Sequence, residues 1–321
     1  MRTRRRVVAC KIEATEGTAE TLGASQGGIL VIDPKIDVDI KMTERPIARP
    51  TLGTYAAISG ARSAQMTFKT ELKGSGTTYT VNSATKPLIS NYLEACGYLA
   101  TFGSGATAAW CFSPTSGTGA SLYVPSLTLC TWEDGVKKQI RGARGNVKFS
   151  GNVGEPVYAE FTFQGVLDTI TDEANPAPTF ETAVPPVMLS ANMSIGSYAA
   201  VAGSFTLDSG NTLALRESMN SADGYLSTLI TQRKLSGTLN PEMTTVATKD
   251  WFGIWKASTN MSLIVGNVGT GAGNVIKFVV PKLRLKKVGD TDKNGIAFAD
   301  LQFDLEETAT DDEVTLYFLP A

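Results

Sequence analysis

Histidine is absent from all 321 residues of the chain. Without imidazole there is no Ser-His or Cys-His nucleophile pair, no nitrogen ligand for zinc or iron, and no side chain that titrates near neutrality of its own accord. Cysteine is sparse. Cys10, Cys96, Cys111 and Cys130 are separated by 86, 15 and 19 residues with no C-x-x-C pair, and they read as reduced, buried thiols. No 18 apolar residues run together, so no membrane-spanning helix is expected. After the basic start, the apolar stretch Val7 to Cys10 ends at Lys11, too soon for a signal-peptide core, and folding in a cytoplasm is the expectation. Net charge is nearly absent too: 29 basic and 31 acidic residues leave -2, no field for gripping nucleic acid or an anionic membrane. The imbalance is mild along the chain, +2 over 1–175 (18 basic, 16 acidic) and -4 over 176–321 (11 and 15).

What is present is apolar material in short alternating runs. Hydrophobic residues at 42% and charged residues at 19% exclude a disordered chain, and the length suggests two modest domains. Strands are predicted at 36–42, 65–72, 126–132, 145–149, 158–164, 203–207, 275–285 and 296–305, where odd and even positions differ in polarity. Helical spacing occurs twice, at Lys86 to Tyr98 and at Lys249 to Ala257. One helix per half prompts a search for duplication. Val124 to Leu129 (VPSLTL) matches Val280 to Leu285 (VPKLRL), and Tyr158 to Phe163 (YAEFTF) matches Phe298 to Phe303 (FADLQF). The first pair of markers is 34 residues apart and the second 18, which suggests an extra hairpin around Arg141 to Gly154. The expected division is an arm at 1–28, a first domain at 29–170, a proline-containing linker at 171–186 and a second domain at 187–321. Each half also carries a long excursion, 44–64 and 209–232; loops of this length are uncommon in compact domains unless they bind something.

The motifs that could carry chemistry are weak. Asp290 to Gly295 (DTDKNG) has the opening of a calcium loop, but its twelfth position is Leu301 rather than a bidentate Glu and its flanks are strands, so a hairpin turn is expected. Gly117 to Ser121 and Gly269 to Gly273 match no phosphate cradle and read as hairpin tips. Glu133 with Asp134, and Asp304 with Glu306 and Glu307, could pair as acid and base, yet nothing supplies a nucleophile or pocket. Arg4, Arg5 and Arg6 form a basic tip. No catalytic, cofactor-binding or metal-ligating residue is nominated, and no enzyme is expected.

Lys11 to Gly23 (KIEATEGTAETLG), Ala61 to Leu72 followed by the helix from Pro87 to Tyr98, and Gly142 to Gly165 together resemble the major tail, or tail tube, proteins of long-tailed bacteriophages. The resemblance implies a mainly β protein, here two tandem β-sandwich or half-barrel domains with one short helix each. It implies a virion structural protein that polymerises into stacked rings around a conduit for DNA, with other tail proteins at its ends. A duplicated chain would close a trimeric ring with six similar positions. The excursions 44–64 and 209–232 would join ring to ring, and residues 1–28 would reach a neighbour; Asp37, Asp39, Lys41, Glu71, Asp300, Gln302 and Asp304 either face double-stranded DNA that passes unbound or lie on a solvated outer face. The alternative is another virion β protein, such as a head-decoration, baseplate or fibre component.

Overall fold

A computed structural model describes residues 2, 4–77, 79, 85–103, 108–117 and 124–320. The chain enters as β1 (Arg6–Ile12) and runs out and back as a long hairpin, β2 (Ile32–Thr43) and β3 (Ile58–Glu71). Next come α1 (Ser90–Ala95), the hairpin β4 (Tyr98–Gly103) and β5 (Ala109–Pro114), then β6 (Leu127–Glu133), β7 (Val136–Asn152) and β8 (Tyr158–Asp172). The second half contributes β9 (Ser194–Ile195), β10 (Ala202–Asp208), the hairpin β11 (Thr212–Glu217) and β12 (Tyr225–Gln232), β13 (Ser236–Pro241), and α2 (Trp251–Lys256). It ends with β14 (Met261–Val268), β15 (Val275–Lys293), β16 (Ile296–Leu305) and β17 (Thr315–Leu319). The protein is mainly β with two short helices, as its alternating sequence predicts.

One antiparallel sheet runs through both halves in the order β2-β3-β8-β7-β10-β13-β16-β15, continuing to β17-β5-β4, while β11 and β12 stand apart. Its first eight strands form two quartets of like connectivity. In each, two strands separated by an excursion are followed by a helix and then a hairpin, and the hairpin's second strand returns to pair with the quartet's second strand. Within this arrangement β8 and β16 hold the same place, as their matched sequences suggest. The Val-Pro match does not carry over: Val280 lies in β15, whose counterpart is β7, whereas Pro125 precedes β6. Residues 141–154 belong to the β7–β8 hairpin, which both halves possess; among the described residues the first half's own extra hairpin is β4–β5. Alternating polarity identifies a strand and its buried face but not its place in the sheet.

The helices are shorter than their apolar spacing suggests. Before α1, Ser90 donates its hydroxyl and its backbone N–H to the Pro87 carbonyl at 2.5 and 3.0 Å, and Gly97 beyond it turns left-handed at φ 87°. The Asp250 carboxylate caps α2 by accepting the Gly253 N–H at 2.8 Å.

Part of the expected arm, Arg6–Ile12, belongs to the chain's own sheet. β1 pairs with β6 from Arg6↔Glu133 to Ile12↔Leu127, and Val7, Val8, Ala9 and Cys10 are buried. Arg6 forms an ion pair with Glu133 at 2.5 Å and Arg5 with Asp134 at 3.2 Å, so the basic tip is tied to its own chain. The first strand's four consecutive buried residues supply the anchor that an arm would lack. Residues 173–186 have no regular structure but are pinned: Glu173 accepts the Trp132 indole N–H at 3.0 Å, and the Val184 carbonyl accepts the Asn274 amide at 2.7 Å.

The core is aromatic. Phe68, Tyr92, Phe161 and Phe163 cluster beneath α1, with Phe68 5.3 Å from both Tyr92 and Phe161. Phe278 of the second half lies 5.2 Å from Phe149 of the first and 5.8 Å from Phe205, so one core spans both. Phe278→Ala is expected to cost about 3–5 kcal/mol, the usual penalty of emptying a buried aromatic site. Tryptophan emission and far-ultraviolet circular dichroism in denaturant should shift together; separate transitions would mean that the halves unfold independently.

Candidate functional surfaces

The eight-strand stretch buries one face and shows the other. Phe68, Phe149, Phe161, Phe163, Phe205, Leu207, Leu239, Leu301 and Phe303 point into the core. Their neighbours in sequence form two rows of mostly polar residues that run from β3 to β15. One row reads Glu71, Tyr158, Ser150, Thr206, Thr238, Gln302 and Lys287. The next reads Lys69, Glu160, Lys148, Asp208, Ser236, Asp304 and Arg284. Signs alternate along this second row through Asp208, which avoids like charges directly opposite one another. Asn146 donates to Asp208 at 2.8 Å, the hydroxyls of Thr206 and Thr238 lie 2.8 Å apart, and Asp304 pairs with Lys286 at 3.2 Å.

At one end of the sheet the β2–β3 hairpin leaves the core. Val38, Ile40, Met42, Ile47 and Ile58 are exposed along it, and Leu52 at its tip has 106% relative exposure, so nothing in its own chain covers it. Tyr55 holds the tip together beneath Arg45 and Arg49, whose guanidinium carbons lie 5.3 and 4.5 Å from its ring. The β11–β12 hairpin packs beside it. Arg62 donates its N–H to the Asp223 carbonyl at 3.0 Å, and the Asp223 carboxylate receives Arg141 at 2.8 Å. The two excursions expected from the sequence thus meet within one chain, and Met219 between β11 and β12 is also exposed at 106%.

A family model for phage tail tube proteins matches residues 3–305. The chain belongs to the phage tail tube protein family. It is a virion structural protein of the bacteriophage tail, and the match covers both halves. No individual curated protein matches the chain.

The tail tube protein scatters most of the chemically suggestive residues. Glu133 faces Arg6 and Asp134 faces Arg5, so the two adjacent carboxylates are separately paired. Asp304, Glu306 and Glu307 engage Lys286, Lys282 and Arg233 at 3.2, 3.1 and 3.8 Å. Asp290 to Lys293 end β15 and pair with β16, and Asn294 and Gly295 make the tight turn between them at φ 57° and 82°. Gly269 to Gly273 connects β14 with β15 and packs on the first half, where Tyr79 donates to the Gly273 carbonyl at 2.9 Å. Of Gly117 to Ser121, residues 118–121 lie outside the described residues. Cys10, Cys96 and Cys130 are buried, Cys111 is half-buried, and burial pushes the Cys10 thiol up to about 12.

Of the channel candidates, Glu71, Gln302 and Asp304 lie in the polar rows above, and Asp300 shares their strand face. Asp37 and Asp39 are exposed on β2, Asp37 paired with Lys35 at 2.7 Å. Lys41, exposed farther along β2, lies within an irregularity of the ladder.

Two acids of the segment Lys11 to Gly23 have roles that its sequence does not announce. Buried Glu13 accepts hydrogen bonds from Ser126 at 2.6 Å, Gly142 at 2.7 Å, Gly17 at 2.8 Å and Thr128 at 3.0 Å. Glu16 receives Ser227 at 2.6 Å and Arg144 at 2.9 Å; buried Arg144 also donates to the carbonyls of Val124 and Thr228. These contacts tie β12 to the first half. The Glu-x-x-Glu spacing was the available signal. Glu307, Asp311 and Glu313 also converge among the described residues, but Arg233 occupies the cluster, 2.8 Å from Asp311 and 2.7 Å from Glu313.

Burial works against the charges on Glu16 and Asp311, yet hydrogen bonds from Ser227 and Arg144, and from Arg233 and Ser116, hold both carboxyls below their ordinary range. A carboxyl lowered by folding adds stability above its unfolded value and loses it as pH falls through the folded one. The melting temperature should therefore drop as pH falls below about 4. Replacing both by the amides (Glu16→Gln, Asp311→Asn) should flatten that drop while lowering stability at neutral pH, as measured by calorimetry across pH.

Proposed function

We propose that the polar sheet face lines the channel of a tube through which double-stranded DNA slides without being held. In this reading residues 29–170 and 187–321 are two repeats joined by 171–186, and three chains close a ring of six similar positions. Rings stack through the excursions 44–64 and 209–232, other tail proteins meet the tube at its ends, assembly takes place in the host cytoplasm, and no reaction is catalysed. The observation that carries the proposal is the mostly polar surface opposite the aromatic core, with charges of both signs interleaved. DNA presents about one negative charge per 1.7 Å of axis, so a basic lining would retain it by releasing counterions. A lining that alternates in sign offers no continuous anchorage.

Electron microscopy of purified protein should show rings and tubes; isolated monomers at every concentration would overturn the reading. Replacing 46–56, which contains Leu52 and Tyr55, with a short Asn-Gly turn should leave rings that no longer stack. Tubes of the Glu160→Lys, Asp304→Lys variant should retain double-stranded DNA in low salt and release it steeply as salt rises, while unaltered tubes retain little at either; equal retention would exclude charge alternation as the reason for passage. Removing residues 1–28 should lower stability rather than release a folded monomer, because β1 and Glu13 leave with them.

A further inference from the structure

The eight-strand stretch contains one junction between its two quartets, and two outer edges, that of β2 and that of the last residues of β15, correspond to the sides of that junction. Inside the chain, β7 meets β10 with Ser204↔Asn152, Phe205↔Gly151, Thr206↔Ser150, Leu207↔Phe149 and Asp208↔Lys148. Across the quartets, the ladders β3–β8 and β13–β16 superpose Phe68↔Phe161 on Leu239↔Leu301, which makes Asp33–Asp37 the counterpart of Ser204–Asp208. The hairpins β7–β8 and β15–β16 superpose Val147↔Phe161 on Val288↔Leu301, which makes Gly289–Lys293 the counterpart of Lys148–Asn152. Among the described residues neither counterpart has a second ladder, although Pro34 is buried and its carbonyl accepts an Arg6 guanidinium N–H at 2.9 Å. Among the described residues β2 has a ladder with β3 alone, and over Lys287–Lys293 β15 has a ladder with β16 alone. Residues 290–293, Asp33, Lys35 and Asp37 are exposed.

We infer that β15 of one copy pairs antiparallel with β2 of a second copy in the register of the internal junction: Lys293 opposite Asp33, Thr291 opposite Lys35 and Gly289 opposite Asp37. The inference rests on the ring reading and names its interface. Charge complementarity supports this occupant. In the internal junction Asn146 reaches diagonally to Asp208; the equivalent positions hold Lys287 and Asp37, so an amide contact within the chain becomes an ion pair between chains. Asp33 and Lys293 add a second opposite pair where the chain itself has Ser204 and Asn152. Pro34 stands in the place of Phe205 and brings no N–H, so the ladder between copies is at most one donor shorter there. On the opposite face Asp292 and Asp290 replace Gly151 and Phe149, making this junction less apolar than the internal one.

The test is register-specific cross-linking of assembled full-length protein. A Lys35→Cys, Thr291→Cys variant should, on oxidation, give covalently linked multimers on non-reducing gels, beyond the background of the four native cysteines. The Asp39→Cys, Thr291→Cys variant, four residues out of register, should not. Separately, Asp37→Lys should raise the concentration needed for ring formation roughly tenfold, and adding Lys287→Asp should restore it. Rings that form without the in-register cross-link, or that link equally well out of register, overturn this pairing and leave the tube reading intact. Absence of assembly in the unaltered protein overturns both.

Discussion

The ladder between β7 and β10 is the constraint on which the rest of the molecule depends. β7 is shared along its length: Val136 to Ala143 pairs with β6, whereas Lys148 to Asn152 pairs with β10. Its first part therefore belongs to the layer holding β1, and its last part opens the second quartet. Because the ladder continues across the halves, the buried face continues too, and Phe149, Phe205 and Phe278 meet there. Backbone groups in such an aromatic setting need partners, since an unmet buried donor or acceptor costs about 1–3 kcal/mol. Pairing the two halves strand to strand satisfies these groups without a separate interface.

The same continuity shapes the polar face. A strand presents alternate residues to opposite sides, so rows that are aromatic beneath must be matched by rows above that are free to be polar. Serine and threonine fill much of the first row, where their small β-branched or hydroxylated side chains suit a pleated surface. In the second row Asp304 pairs with Lys286 and Arg284 with Glu306, while Lys69 lies over the Tyr158 ring and Asp208 accepts the Asn146 amide. Cross-strand attraction of this kind supplies modest stabilisation while leaving the surface without one dominant sign. In the proposed reading, one pattern of residues serves both structural economy and the free passage of a polyanion.

Strand character, the buried faces and the two helices were legible in the chain, because each follows from local periodicity. The match of Tyr158 to Phe163 with Phe298 to Phe303 also identified two strands of the same place, since both carry the alternation of a strand packed between neighbours. Other features depend on partners distant in sequence. Val7 to Cys10 looked like part of an arm because a short apolar run after arginines says nothing of β6, which lies more than a hundred residues away. Likewise, the excursions were visible as long interruptions, but their contact through Arg62 and Asp223 required the folded chain. Glu13 and Glu16 were hidden by composition: a glutamate near a terminus usually reads as solvated, and only the converging donors of Ser126, Gly142, Ser227 and Arg144 reveal otherwise.

Open strand edges invite unwanted pairing, and two outer edges here carry features that restrict it. β2 presents Asp33, Lys35, Asp37, Asp39 and Lys41, while the end of β15 presents Lys286, Lys287, Asp290, Asp292 and Lys293. In the register of the internal junction, acids of β2 meet lysines of β15. A slip of two residues in one direction sets Lys35 against Lys293; a slip of one turns the whole strand over, exchanging its polar and apolar faces. Pro34 further weakens any ladder centred on it. In the proposed pairing the edge would favour one arrangement of its own kind over others, a property that a closed ring requires.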